Sequence, residues 1–108
     1  MQATFLGKVT VASAGTPVPL STDPTLRACA ILVATIPGLT GNVYLGGGGL
    51  DRNSLAGVMI VFNAPSVSGP ADSFLLEVRD GHNSLQLSEY FLDASVSGEG
   101  ALITYFQI

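Results

Sequence analysis

The chain has 108 residues, enough for one hydrophobic core but too few for a core and an independent second lobe, so we expect one domain over residues 1–108. Charged residues make up only 11%, against a usual share of about 25%. Part of the surface is therefore expected to be uncharged or covered by another chain. The net charge is −4, with four basic residues and no basic cluster, which argues against a nucleic-acid partner.

The sequence indicates no membrane partner and no secretion segment. Its first residues lack a basic region followed by an unbroken apolar run, and no apolar run reaches the roughly 18 residues of a membrane helix. We therefore expect synthesis in the cytoplasm. Cys29 is the only cysteine, so an intrachain disulfide is excluded, and its position in an apolar run predicts burial in the core rather than reactivity.

The N-terminal third predicts a strand and then a connection. In residues 4–13 the apolar side chains Phe5 and Val9 fall on one side, with Gly7 interrupting that side. Alternation of this kind is typical of a half-exposed strand. Residues 14–24 contain three prolines, which lack an N–H and interrupt sheet pairing. They are expected to form an ordered surface connection.

Two later segments, residues 29–36 and 57–62, are apolar on both faces. A strand of this composition is covered on both sides. One cover is the core; the other is either a loop of the same chain or a neighbouring subunit. Between these segments, residues 37–42 predict a turn and residues 43–46 a short returning strand.

Residues 46–53 begin with four consecutive glycines. A dinucleotide-binding fingerprint requires a third glycine where Asp51 stands, and a phosphate-binding P-loop requires Gly-Lys-Ser/Thr, which is absent. Phosphate binding is therefore the less favoured alternative, and no cofactor is expected. We predict a flexible contact loop that becomes ordered against a partner.

The C-terminal half continues the strand pattern. Residues 63–72 predict a loop that crosses between sheets, and residues 73–79 alternate cleanly before Asp80-Gly81, a favourable hairpin turn into residues 82–87. The alternation then slips by one residue, which predicts a bulge or turn at residues 88–89. Residues 90–96 and 101–107, joined by a turn with two glycines, predict a C-terminal β-hairpin.

These elements predict an all-β fold, an antiparallel β-sandwich of jelly-roll type with roughly seven to nine short strands. Catalytic or metal-binding groups are not expected. His82 is the only histidine and is predicted to be solvated beside a turn. The carboxylates are scattered singly. Asp93 and Glu99, which flank the last turn, could share a divalent ion, but two separate exposed charges are favoured.

Two segments carry a resemblance: LVATIPGLTGNVYLGG at residues 32–47 and YFLDASVSGEGALITY at residues 90–105. They resemble the short structural proteins of tailed-bacteriophage virions, in particular the capsid decoration or cement type. The resemblance covers about half of the chain and its motifs are structural. It implies a protein on the capsid exterior, made in the host cytoplasm, whose partner is the major capsid protein and whose role needs no chemistry.

The alternative is a tail-fibre, head-fibre or connector module that binds a host-surface glycan or another virion protein. Glycan sites favour exposed aromatic platforms, and this chain has no Trp, three Tyr and five Phe, most of them predicted to face inward. Copy number per particle separates these hypotheses.

We expect a homotrimer around a particle symmetry axis, because the apolar strands exceed what one small sandwich can bury. Contacts with the capsid or with neighbouring subunits are predicted at a flexible N-terminal arm, the glycine-rich loop and the last strand. The residues are Gln2, Ala3, Thr4, Phe5, Leu6, Gly47, Gly48, Leu50, Asp51, Arg52, Ile103 and Tyr105.

Overall fold

The structure, a computed structural model, describes residues 2–36, 40–63, 73–78 and 82–108. These residues form ten strands and one short 3₁₀ turn, and no α-helix occurs among them. The predicted all-β class is confirmed. The strand count exceeds the expected one because three strands have only two residues. The strands are β1 Gln2–Thr10, β2 Val18–Pro19, β3 Arg27–Ala28, β4 Ala30–Thr35, β5 Val43–Asp51, β6 Ala56–Phe62, β7 Ser73–Glu77, β8 Leu85–Gln86, β9 Phe91–Ala94 and β10 Gly100–Gln107.

The strands assemble into three antiparallel sheets. Sheet A has the order β1-β10-β4-β7, sheet B has the order β2-β9-β5-β6, and sheet C consists of β3 and β8. Among the strands of the described residues, only β5 and β6 are both paired and consecutive. Every other connection between consecutive strands leads from one sheet to another.

Sheets A and B contribute to one buried apolar cluster. Ile31 and Ile103 come from sheet A, Leu45 and Leu92 from sheet B, and all four are fully buried within it. Burying one such side chain contributes roughly 1.5–3 kcal/mol. We call the face of each sheet that carries these residues its inner face and the opposite face its outer face. Cys29 is buried as predicted, and its thiol donates to the carbonyl oxygen of Phe106 at 3.2 Å.

The predicted C-terminal hairpin is wrong. β9 belongs to sheet B and β10 to sheet A, so the turn between them joins two sheets. Val11 holds this turn: its N–H donates to the Glu99 carbonyl oxygen at 2.8 Å, and its own carbonyl accepts from Gly98 at 2.7 Å. A Cβ at Gly100 would overlap the carbonyl oxygen of Val9, so glycine permits this close approach. Alternation predicts which side of a strand is apolar but not which strand pairs with it.

The predicted hairpin at Asp80-Gly81 fails for the same reason. The two turn residues lie outside the described residues, but β7 pairs with β4 and β8 pairs with β3. The predicted crossing over residues 63–72 is confirmed by its flanking strands, since β6 lies in sheet B and β7 in sheet A; residues 64–72 themselves lie outside the described residues. The slip in alternation is explained by the 3₁₀ turn Leu87–Glu89.

The predicted turn at residues 37–42 falls partly outside the described residues, because 37–39 are among those left out. The strand predicted at residues 43–46 is longer than expected, because β5 runs over Val43–Asp51, and it does not return beside β4. β4 lies in sheet A, whereas β5 lies in sheet B, between β9 and β6. This connection is therefore also a crossing between sheets.

Candidate interaction surface

A β-bulge in β1 determines what the outer face of sheet A presents. Phe5 pairs with Thr104, but the next pair is Gly7 with Ile103, so Leu6 is an extra residue in the strand. Gly7 has a φ of +124°, which few other residues adopt. The bulge shifts the alternation, so Phe5 lies on the opposite face from Val9, contrary to the prediction. Phe5 is 64% exposed.

The registers place apolar side chains side by side across all four strands of sheet A. Phe5 of β1, Thr104 of β10, Leu32 of β4 and Leu75 of β7 are successive partners in one row. Residues that are direct partners share a face. By these registers, the described residues of the outer face are Ala3, Phe5, Lys8, Thr10, Ala30, Leu32, Ala34, Ser73, Leu75, Glu77, Gly100, Leu102, Thr104 and Phe106.

This outer face is largely apolar although it reaches solvent. Leu75 is 47% exposed, and Leu32, Leu102 and Phe106 are partly exposed. Among the described residues of this face, the ionisable groups are those of Lys8 and Glu77. A contiguous apolar patch on a protein surface indicates an interaction site. The expectation that β4 is covered on both faces is met only on one side within this chain, because Ile31 is buried in the core while Leu32, on the outer face, is partly exposed.

A shallow hollow of about 130 Å³ lies in the outer face, lined by Ala30, Leu75, Glu77 and Phe106. Ala30 is only 6% exposed. It stands between Phe106 of β10 and Glu77 of β7, its direct partners on the two sides. A methyl group between two longer side chains leaves this depression, to which Leu75 contributes from the neighbouring row.

The predicted N-terminal arm is an ordered strand, so the expectation of a flexible arm is wrong. Residues 2–5 pair one to one with β10. Ala3 and Phe5 lie on the outer face, Gln2 and Thr4 take the opposite side, and Leu6 packs against the core. Two of the five predicted arm residues therefore belong to the candidate surface.

The predicted glycine loop is also a strand, in a different sheet. Gly47, Gly48 and Leu50 belong to β5, although its pairing with β6 is irregular between Gly46 and Asp51. Leu50 is buried. The Asp51 carboxylate accepts a hydrogen bond from the N–H of Asn53 at 2.9 Å, and this bond lowers its pKa. These residues are not brought together with the outer face of sheet A.

Of the two residues predicted as contacts in the last strand, both lie on the inner face. Ile103 is fully buried, and Tyr105 is half-buried against the core. The residues between them, Thr104 and its neighbours Leu102 and Phe106, lie on the outer face. A shift of one residue exchanges the two faces of a strand. Sequence reasoning missed Leu102, Phe106 and Leu75, although the two-sided apolar composition of β4 indicated that an apolar outer face exists.

On sheet B, Asp93 forms a buried polar cluster instead of the exposed charge that was expected. It is 1% exposed, and its Oδ1 accepts from the N–H groups of Gly15 at 2.9 Å and Ala94 at 2.8 Å. Its Oδ2 lies 3.8 Å from Nε of Arg52, whose side chain is 27% exposed. That Nε is buried and has no hydrogen-bond partner among the described residues. Arg52, predicted as a contact residue, thus joins the β5–β6 turn to β9.

Glu99 holds the chain where it enters β5. Its two carboxylate oxygens accept from the N–H groups of Thr40 at 2.8 Å and Gly41 at 2.9 Å, and from the Thr40 hydroxyl at 3.1 Å. Burial opposes ionisation of Glu99, but these bonds outweigh it, so its pKa lies below the ordinary value. Asp93 and Glu99 therefore accept hydrogen bonds from different segments of the chain.

Within the described ranges, no group of three or more His, Cys, Asp or Glu residues is arranged to hold a metal ion. His82 is exposed, as predicted. No helix in the described part of the chain is long and apolar enough to cross a membrane. The chain matches no protein-family model, no curated protein and no solved structure.

Proposed function

We propose that this protein is a structural component of a tailed-bacteriophage virion, a decoration or cement protein on the capsid exterior. Its contact with the major capsid protein is made by the outer face of sheet A. One observation carries the proposal: a row of side chains crosses the outer face of sheet A, with Thr104 and Leu32 in the middle. Phe5 and Leu75, at the two ends of this row, are exposed. The resemblance of residues 32–47 and 90–105 to virion proteins supports the kind of partner.

The proposal includes a fold of the sandwich, jelly-roll-like type. Two observations support it: sheets A and B bury their apolar side chains in one cluster, and all but one of the connections lead from one sheet to another. Crossing connections are characteristic of jelly rolls. In such a fold one face of each sheet remains available for partners. Sheet A presents its apolar outer face in this way.

Cement function follows from the number of copies rather than from chemistry. A specific interface buries at least about 1,000 Å² in total, and many copies on one shell act together against its rupture. A sheet already ordered by pairing on four strands loses little conformational entropy on binding. We include in the proposal a homotrimer at a symmetry axis of the particle.

The test uses bare capsids to which purified protein is added, with binding followed by sedimentation and shell stability by DNA release on heating. Leu75→Ser alters the outer face of sheet A. Met59→Ser is the matched control, because Met59 is 46% exposed on sheet B whereas Leu75 is 47% exposed. Because only about half of the Leu75 side chain remains to be buried, losing this anchor removes about 0.7–1.5 kcal/mol and weakens binding roughly threefold to tenfold. We expect that loss for Leu75→Ser and unchanged binding for Met59→Ser.

The proposal fails if bare capsids neither bind the intact protein nor gain heat resistance from it, and the fibre or connector alternative then takes precedence. If the capsids bind both variants as tightly as the unaltered protein, the assignment of the contact to this face is wrong. Copy number gives an independent test, since a cement protein is present in hundreds of copies per particle and a connector or fibre in about a dozen or fewer.

A further inference from the structure

We propose that the hollow lined by Ala30, Leu75, Glu77 and Phe106 is an anchor site, which receives one apolar side chain of the partner together with a basic side chain that pairs with Glu77. This inference rests on the proposed function, because it names the chemistry of the capsid segment that the outer face of sheet A would bind. In this proposal the hollow, rather than the rest of the outer face, determines most of the selectivity for the partner segment.

The size and lining of the hollow fit a side chain between leucine and phenylalanine in volume. Its volume is about 130 Å³, and apolar cavities of about 150 Å³ hold a benzene ring. Ala30 forms the floor, and Phe106 and Leu75 stand beside it. Because these residues belong to three paired strands, the hollow is preformed. Anchors that enter preformed apolar pockets dominate the binding energy of many interfaces.

Glu77 determines which neighbours the anchor residue can have. It is exposed at the rim of the hollow, and the ion pair formed among the described residues, Arg52 with Asp93, does not include it. Among the described residues of this face the cation is Lys8 on β1, which is three strands from β7 and in the row of Ser73, four residues from Glu77 along β7, so that it lies more than about 14 Å away at the spacing of neighbouring strands. At that distance Lys8 is largely screened from Glu77. A partner segment with Lys or Arg beside its apolar anchor is therefore favoured, and one with Asp or Glu is disfavoured.

The first arm of the test needs no identified partner. Two capped tripeptides, Arg-Leu-Arg and Glu-Leu-Glu, are titrated into the ¹⁵N-labelled protein, and amide chemical shifts are followed by NMR. We expect shifts at Ala30, Leu75, Glu77 and Phe106 with the basic peptide, and at least threefold weaker binding of the acidic one. Ala30→Leu, which fills the hollow, should weaken binding of the basic peptide at least tenfold. Glu77→Gln should remove the difference in affinity between the two peptides. Ala12→Leu adds the same side chain at an exposed site elsewhere.

The inference is overturned if the basic peptide shifts other residues or none, or if Ala30→Leu binds it as well as Ala12→Leu does. A second arm repeats the capsid binding with Ala30→Leu and Glu77→Gln. If capsids bind the unaltered protein and both variants equally well, the anchor is wrong while the proposed function stands. If capsids do not bind the unaltered protein, the proposed function is wrong, and the peptide titration alone decides whether the hollow is a binding site.

Discussion

Removing the buried carboxylate of Asp93 is expected to lower the free energy of unfolding by about 3 kcal/mol. The Oδ1 atom accepts two N–H groups, and hydrogen bonds to a charged group contribute roughly 1.5–3 kcal/mol each. The bond from Gly15 is only part-buried, so water replaces much of it in Asp93→Ala. The N–H of Ala94 is buried and loses its acceptor. Together these bonds contribute about 2 kcal/mol.

The ion pair with Arg52 contributes less than its distance suggests. At 3.8 Å the Coulomb attraction is about 4 kcal/mol for an effective dielectric constant of 20. Desolvation of the carboxylate opposes most of this, Arg52 remains partly solvated, and its Nε makes no hydrogen bond within the described residues. We therefore expect a net contribution of about 1 kcal/mol. Arg52→Met should cost about that amount, a third of the effect of Asp93→Ala.

Urea unfolding of Asp93→Ala, Arg52→Met and the double variant measures these values, together with the coupling energy between the two sites. Glu89→Ala, which removes an exposed carboxylate, is the control and should leave the free energy of unfolding nearly unchanged. The reasoning is refuted if Arg52→Met destabilises as much as Asp93→Ala. A coupling energy above about 3 kcal/mol would likewise show that the ion pair, rather than the N–H donors, holds Asp93.

Two further predictions concern the faces of β10 and the pH dependence. Ile103→Ala should lower the free energy of unfolding by about 2–5 kcal/mol because it leaves a cavity in the core. Leu102→Ala on the outer face should lower it by under about 1.5 kcal/mol. Equal losses in urea unfolding would contradict the assigned faces. Because the pKa of Glu99 lies below its ordinary value of 4.5, its contribution to stability is present above that pH and is lost as the pH falls through the folded-state value. The difference in melting temperature between the unaltered protein and Glu99→Gln should therefore be constant above about pH 6 and shrink towards pH 3; a difference that grows on acidification would contradict this sign.

The sequence by itself determined the class of the fold and much of the core. The apolar run at residues 29–36 predicted a strand with two apolar faces, and the structure has Ile31 in the core and Leu32 on the outer face. The burial of Cys29 and the turn at residues 88–89 also followed from local patterns. These features depend on the two-residue period of a strand and on turn chemistry, both of which are local properties of the chain.

Only the tertiary structure decided which strands pair and which face reaches solvent. The turn between β9 and β10 has the glycines of a hairpin, yet its strands enter different sheets because each pairs with a distant segment, β5 and β4 respectively. One extra residue at Leu6 moved Phe5 outward, and the outer face of sheet A arises from strands drawn from both ends and the middle of the chain. Pairing and register are set by contacts between distant segments, and a repeat of two residues contains no information about them.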